Sequence, residues 1–140
     1  MNLKILFFYN NIHMSTIIKI NAFNELLNQF LNFLESNVTS CRSDIILTRT
    51  AISMLKVSNP RLVSSQFLES LIPYEKEIMS CNESFFLDFD KNLDKDILTG
   101  DNLIQGFKFK KIWESDIDTK CKATIFLYIQ KLLKLSKQCQ

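Results

Sequence analysis

The chain has 140 residues and a net charge of +2, with 46% apolar and 23% charged side chains. That leaves room for one core and little for an extended disordered tail, and the charge is too small to imply nucleic acid. Two Gly and two Pro are too few for the many turns of a sandwich or barrel, and four cysteines without a C-x-x-C pair beside a lone His13 offer neither zinc spacing nor a redox motif.

The first apolar stretch, Leu3 to Tyr9, is short, carries Lys4 and is followed by polar residues, so it fits neither a cleaved signal nor a membrane span. Met14 followed by Ser-Thr looks like an ordinary start. Residues 1–13 therefore read as an extension or upstream sequence, and 14–140 as a single helical domain. Phe23, Leu26, Leu27, Phe30, Leu31 and Leu34 recur at three- and four-residue intervals and predict a helix over 22–35, with Asn21 as its cap. The preceding Ile17, Ile18 and Ile20 suit either a short extended lead-in or an added helical turn.

A second helix is predicted after Ser43 or Asp44, with Ile45, Thr48, Ile52 and Leu55 on one stripe, ending at Asn59-Pro60. Pro60 is preset in φ for a first helical position, so it opens a third helix with Val63, Phe67, Leu68 and Leu71 inward. Pro73 repeats the device for a short helix through Met79. From Cys81 to Gln105 the periodicity breaks into an irregular acidic connection anchored by Phe85, Phe86, Leu87 and Phe89. Within it Asp88, Asp90, Asn92 and Asp96 match positions 1, 3, 5 and 9 of an EF-hand loop. Leu93 and Thr99 stand where that loop needs its sharp turn and its bidentate ligand, so a solvated acidic loop is the better reading.

A brief helix around Phe107 to Glu114 brings Phe109, Ile112 and Trp113 to the core, and Asp116 or Asp118 caps a long amphipathic helix over 119–137. On that helix Cys121, Ile125, Phe126, Ile129, Leu132 and Leu133 share one face. Lys120, Thr124, Lys131, Lys134 and Gln138 share the other, and Leu127 sits among the lysines. Charge is uneven along the chain: residues 1–68 carry +3, 69–101 carry −6 and 102–140 carry +5. Acidic loops beside a basic helix face account for this, and a basic docking face is the sharper alternative.

Catalysis finds little to work with. A Cys or Ser nucleophile needs a base, usually His, and only His13 is present, in the N-terminal segment. Acids two residues apart, such as Glu75 with Glu77 or Asp116 with Asp118, point to different helix faces. Gly100 and Gly106 are too isolated for a phosphate loop. Lys108, Lys110 and Lys111 are interleaved with Phe107, Phe109 and Trp113, a pattern that can bind a nucleic-acid backbone and stack bases but also marks any helix with one wet and one dry side.

The last third, Gly106-Phe-Lys-Phe-Lys-Lys-Ile-Trp113, then Asp116-Ile-Asp118, then Lys122-Ala-Thr-Ile-Phe-Leu-Tyr-Ile-Gln-Lys-Leu132, resembles a segment repeated in proteins of nucleocytoplasmic large DNA viruses, the mimivirus-like and algal viruses. There a G-x-x-F-x-x-(L/I)-W stretch precedes T-I-W-K-Y-L-Q-L. Gly106, Phe109, Trp113, Thr124, Ile125, Tyr128 and Gln130 match in place, while Phe126 stands where Trp is commoner and Leu127 where Lys is. The resemblance implies a viral protein of the host cytoplasm or viral factory, or of the virion, not a secreted one. It implies no activity, because the shared residues are mostly aromatic and aliphatic and include no acid, base or metal ligand.

The expected fold is all-α, a small bundle of about five to six helices closed by the long amphipathic C-terminal helix. The expected function is non-enzymatic, by protein–protein interaction with a viral or host partner or by self-association, through Trp113, Leu127, Tyr128, Lys131, Lys134 and Leu135. No cofactor, metal or membrane span is expected. The alternative is a nucleic-acid-binding accessory protein using Lys108, Lys110, Lys111, Lys120 and Lys122.

Overall fold

No Pro or Gly interrupts the chain before Pro60, so its first half is free to form long helices. The computed structural model describes residues 3–88 and 107–140, residues 5–14 by their backbone alone. Among them there is no strand, and the α-helices run α1 Leu3–Asn37, α2 Arg42–Ser58, α3 Pro60–Leu71, α4 Glu75–Met79, α5 Ser84–Asp88, α6 Phe109–Glu114 and α7 Thr119–Gln138. The architecture is the expected small all-α bundle with a long C-terminal helix.

Asn21 does not cap α1 but lies inside it, and the Ile17–Ile20 run is helical. An Asn in a helix interior costs only about 0.6 kcal/mol relative to Ala, less than is gained by burying Ile20 just before it and Phe23 just after it. α1 stops at Asn37, whose side-chain amide donates to the Phe33 carbonyl at 2.8 Å. A 3₁₀ turn, Thr39–Cys41, then leads into α2, which starts one residue before Ser43 and two before Asp44. Neither is a cap. Asp44 instead sits in the first turn, where a carboxylate meets the positive end of the helix.

The α2–α3 corner follows from local chemistry. Asn59 is extended at φ −159°, its side-chain oxygen accepts from Arg61 N at 3.1 Å, and Pro60 takes the first helical position. Pro73 sits in a 3₁₀ turn, Ile72–Tyr74, and α4 follows it. The start of the expected irregular connection is helical: Cys81 turns the chain with φ 55°, the Asn82 side chain accepts from Ser84 N at 3.0 Å, and α5 begins. Phe89 and the loop positions Asp90, Asn92, Leu93, Asp96 and Thr99 lie outside the described residues, as do Gly100 and Gly106. Of the two candidate caps for α7, Asp118 is the one used, its carboxylate accepting from Cys121 N at 2.7 Å.

The long helices α1 and α7 pack on each other, and α2 and α3 complete the bundle. The core is one apolar cluster, to which α1 gives Phe23, Leu27, Phe30, Leu31 and Leu34, and α7 gives Ile125, Phe126, Ile129, Leu132 and Leu133. Phenylalanine supplies its bulk in two connected groups. Around Phe30, the rings of Tyr128 and Phe107 lie at 5.2 and 5.9 Å, and Phe67 meets Phe107 edge-on at 5.5 Å. Around Phe86, Trp113 stacks in parallel at 4.0 Å while Phe126 meets the ring edge-on at 4.9 Å. Buried side chains of this size each stabilise the fold by about 1.5–3 kcal/mol.

Candidate functional site

The six residues expected to form a contact surface on α6 and α7 divide between the inside and the outside. Trp113 is core, 4% exposed, so its role as a surface contact is corrected. It fills the space beside Phe86, its ring N–H has no acceptor among the described residues, and the ammonium of Lys122 lies 4.9 Å from its ring. Tyr128 is half-buried against Phe30 and Phe33, and Leu135 is half-buried against the core. Leu127, Lys131 and Lys134 do face solvent, Leu127 at 48% exposure. One exposed leucine among lysines is ordinary surface.

Gln130, matched in the resemblance, has a structural use: its amide donates to the Ile78 carbonyl at 3.0 Å and lies 3.3 Å from the Cys81 sulfur, tying α7 to the end of α4. The matched Phe109 and Ile125 are buried, and the matched Thr124 hydroxyl donates to the Lys120 carbonyl at 2.9 Å.

The five lysines of the nucleic-acid reading are not all available to phosphate. Lys108 and Lys111 both reach the carboxylate of Asp44, at 3.1 and 2.8 Å, and Lys122 is engaged with Trp113. The Asp44 side chain is only 16% exposed. The hydrogen bond from Lys111 lowers its pKa below the ordinary 3.8; burial opposes this in part, and the hydrogen bond from Lys108 and the charges of both lysines reinforce it. A carboxyl whose folded pKa is lowered contributes stability above its unfolded pKa and loses it as pH falls through the folded value. Asp44→Asn is therefore expected to cost about 1 kcal/mol near neutral pH, reduced by the exposure of the lysines, and nothing once pH is well below 3.8. Urea unfolding of both proteins at pH 7 and at the lowest pH that keeps them folded measures the difference. A gap that does not narrow with acid contradicts this assignment.

Two of the thiols, Cys121 and Cys139, are held away from activation. Burial, then the charge of Asp118, push the Cys121 thiol up. Burial also raises Cys139, against a smaller opposing pull from the Ser64 hydroxyl and the Lys19 charge. All four cysteines are free thiols. A raised thiol pKa keeps sulfur protonated and poorly nucleophilic at neutral pH. Among the described residues no three His, Cys, Asp or Glu side chains converge, and no helix is long and apolar enough to cross a membrane.

The surface that stands out lies on α2. Its inner stripe of Ile45, Thr48 and Ile52 is buried and Leu55 half-buried, as the spacing predicts, and the Thr48 hydroxyl is satisfied by the Asp44 carbonyl at 2.8 Å. Its outer face, however, is apolar too. Ile46, Leu47, Met54 and Val57 are 46%, 69%, 69% and 88% exposed. With Ser43, Thr50 and Ser53 they cover the helix side opposite Ile52, and no charged residue interrupts them. Reading α2 for the stripe that buries it hides this second stripe. The available signal is the absence of Lys, Arg, Asp and Glu at every outward position from Ser43 to Val57.

Charges flank the face. Arg42, Arg49 and Lys56 follow one another at seven-residue intervals along one edge. Arg49 is held by α1 through the side-chain oxygens of Asn28 and Asn32, each at 2.8 Å, and of Glu35 at 3.1 Å. On the other edge stands Asp44 with its two lysines. The result is a dry strip between two polar margins, the usual form of a protein-contact surface. Comparison with protein-family models, with curated proteins and with solved structures finds no match to this chain.

Proposed function

We propose that this chain is a non-enzymatic helical protein of a large DNA virus that acts by binding protein, either a virion component or a host factor. The observation that carries the binding reading is the outer face of α2, where four large apolar side chains stand in solvent without an intervening charge. A contiguous apolar patch of a few hundred Å² on a monomer is commonly a contact surface, and leaving it bare has a solvation cost that a partner removes. The α7 surface first expected to serve this role contributes Leu127, Lys131 and Lys134 at most. The viral assignment rests on the resemblance of residues 106–132. Phe109, Trp113 and Ile125 are core residues here, which suits a shared scaffold with no shared active site.

The test compares affinity capture by tagged wild type and by the Leu47→Glu/Met54→Glu variant from cells that make the protein naturally. A partner recovered stoichiometrically by wild type and at least tenfold depleted with the variant is the expected result. Circular dichroism must show the two equally helical. Identical recoveries overturn the assignment of binding to α2.

A further inference from the structure

We propose that the outer face of α2 is occupied by α2 of a second copy of this chain, packed antiparallel across a two-fold axis. This rests on reading that face as a protein-contact surface, and it names the partner.

The spacing selects a helix as the occupant. Leu47, Thr50, Met54 and Val57 follow one another at three, four and three residues, the a, d, a, d pattern by which one helix seats its side chains in the gaps of another. α2 is 17 residues long and so offers a ridge of about 25 Å. An antiparallel register places Leu47 opposite Val57 of the second copy and Thr50 opposite its Met54, and the two-fold repeats both layers. Each layer then sets a larger side chain against a smaller one. A parallel register would set Met54 against Met54 and Thr50 against Thr50, crowding one layer and leaving the other underfilled.

The polar inventory agrees. Thr50 is the one hydroxyl at the centre of the ridge, and it already donates to the Ile46 carbonyl at 3.1 Å, so it presents its methyl group and enters a dry contact without losing a hydrogen bond. Ser43, Ala51, Ser53 and Ser58 beside the ridge are small enough to let two helix backbones approach.

Charge also favours a second copy. Because the face itself has no charge, two copies meet no like charge within the strip, where a charged partner would find no counter-charge, and repulsion is confined to the basic edges at its rim. The basic edge of Arg42, Arg49 and Lys56 falls outside the ridge, and Arg49 is already paired with Glu35. The four large side chains expose on the order of 400 Å² per copy, so pairing removes at most about 800 Å² from them, below the roughly 1,200 Å² of a standard specific interface and in the range of weak, transient contacts. This makes the dimer reversible. An isologous contact uses the same face on both copies, so assembly closes at two.

Sedimentation equilibrium of the full chain over a wide concentration range tests this. Wild type is expected to shift with concentration from 16.4 kDa toward twice that mass, and to do so equally or more strongly at high salt, where the basic edges are screened. Leu47→Glu and, separately, Val57→Glu are each expected to raise the dissociation constant roughly 100-fold, because each buries a charge in the contact. Val57 is almost wholly exposed, so its substitution leaves the fold intact, whereas Met54→Leu keeps volume and should keep the dimer. A wild type that stays at 16.4 kDa throughout overturns the proposal, as does a dimer that survives both glutamates or dissociates in salt. If wild type is monomeric yet the Leu47→Glu/Met54→Glu variant still loses a captured partner, the face binds another protein and only the second copy is wrong. If capture is also unchanged, both readings fall.

Discussion

Phe86→Ala is expected to lower the stability of the folded chain by about 4 kcal/mol, a large share of the roughly 5–15 kcal/mol that small domains possess. The ring is fully buried and is the hub of the second aromatic group. It lies parallel to Trp113 at 4.0 Å and meets Phe126 at 4.9 Å and Phe85 at 4.9 Å. Those neighbours belong to α6, α7 and α5, short or terminal elements that cannot close on a ring-sized void without leaving their own contacts. The loss is therefore transfer free energy plus an unrelieved cavity. Trp113 is the only tryptophan and reports on the site directly. Urea unfolding followed by its emission and by helical circular dichroism should show coincident transitions at a much lower midpoint. A loss below about 1.5 kcal/mol would mean that the aromatic group is not packed as described.

Phe30→Ala should cost a similar amount, about 3–5 kcal/mol, but with a different regional signature. Phe30 is fully buried on α1, stacked against Tyr128 of α7 and against Phe107 just before α6. Because α1 and α7 form the central helix pair, loss of this ring loosens the seam that the remaining helices pack on. Native-state hydrogen exchange should show α1 and α7 amides losing protection together, whereas Phe86→Ala should act first on α5 and α6. Equal loss of protection in every helix in both variants would mean that the bundle opens only globally, and would contradict this division.

What could be read from the residues was the chemistry that acts over a few positions. Asn59-Pro60 sets the α2–α3 corner because Asn is a cap and Pro fixes φ, and both effects are local. The buried stripe of α7 was legible for the same reason, since a three-and-four spacing over twenty residues leaves no competing period. Asn21 failed as a cap because capping is only one option for Asn, and the apolar residues on both sides favour continuing the helix. The helix at Ser84–Asp88 was hidden by the acidic residues around it; two buried phenylalanines and the Asn82 turn decide it.

The candidate surface was less legible, because exposure belongs to the assembled bundle. Trp113 is the type of residue that anchors interfaces as well as cores, so the sequence supports both readings, and the stacking partner from α5 decides for the core. The lysines at 108 and 111 are held by an aspartate that precedes Lys111 by 67 residues, a relation no local pattern contains. The outer stripe of α2 is written in the sequence, but so is the inner one, and which stripe meets the core depends on where α1 and α3 lie.

Arg49 settles that choice. Its guanidinium bonds three α1 side chains spaced along one face, Asn28, Asn32 and Glu35, and so acts as a peg between the two helices. A helix with two greasy sides could relieve its exposure by rolling about its long axis. Here a roll would pull the planar fork from three acceptors at once, and lengthwise sliding would break the same set. The strip is thus held facing outward with its ridge at fixed azimuth and height, as a keyed shaft holds a gear. A contact surface fixed in advance in this way orders little on binding, so a small dry patch can keep most of the free energy it gains.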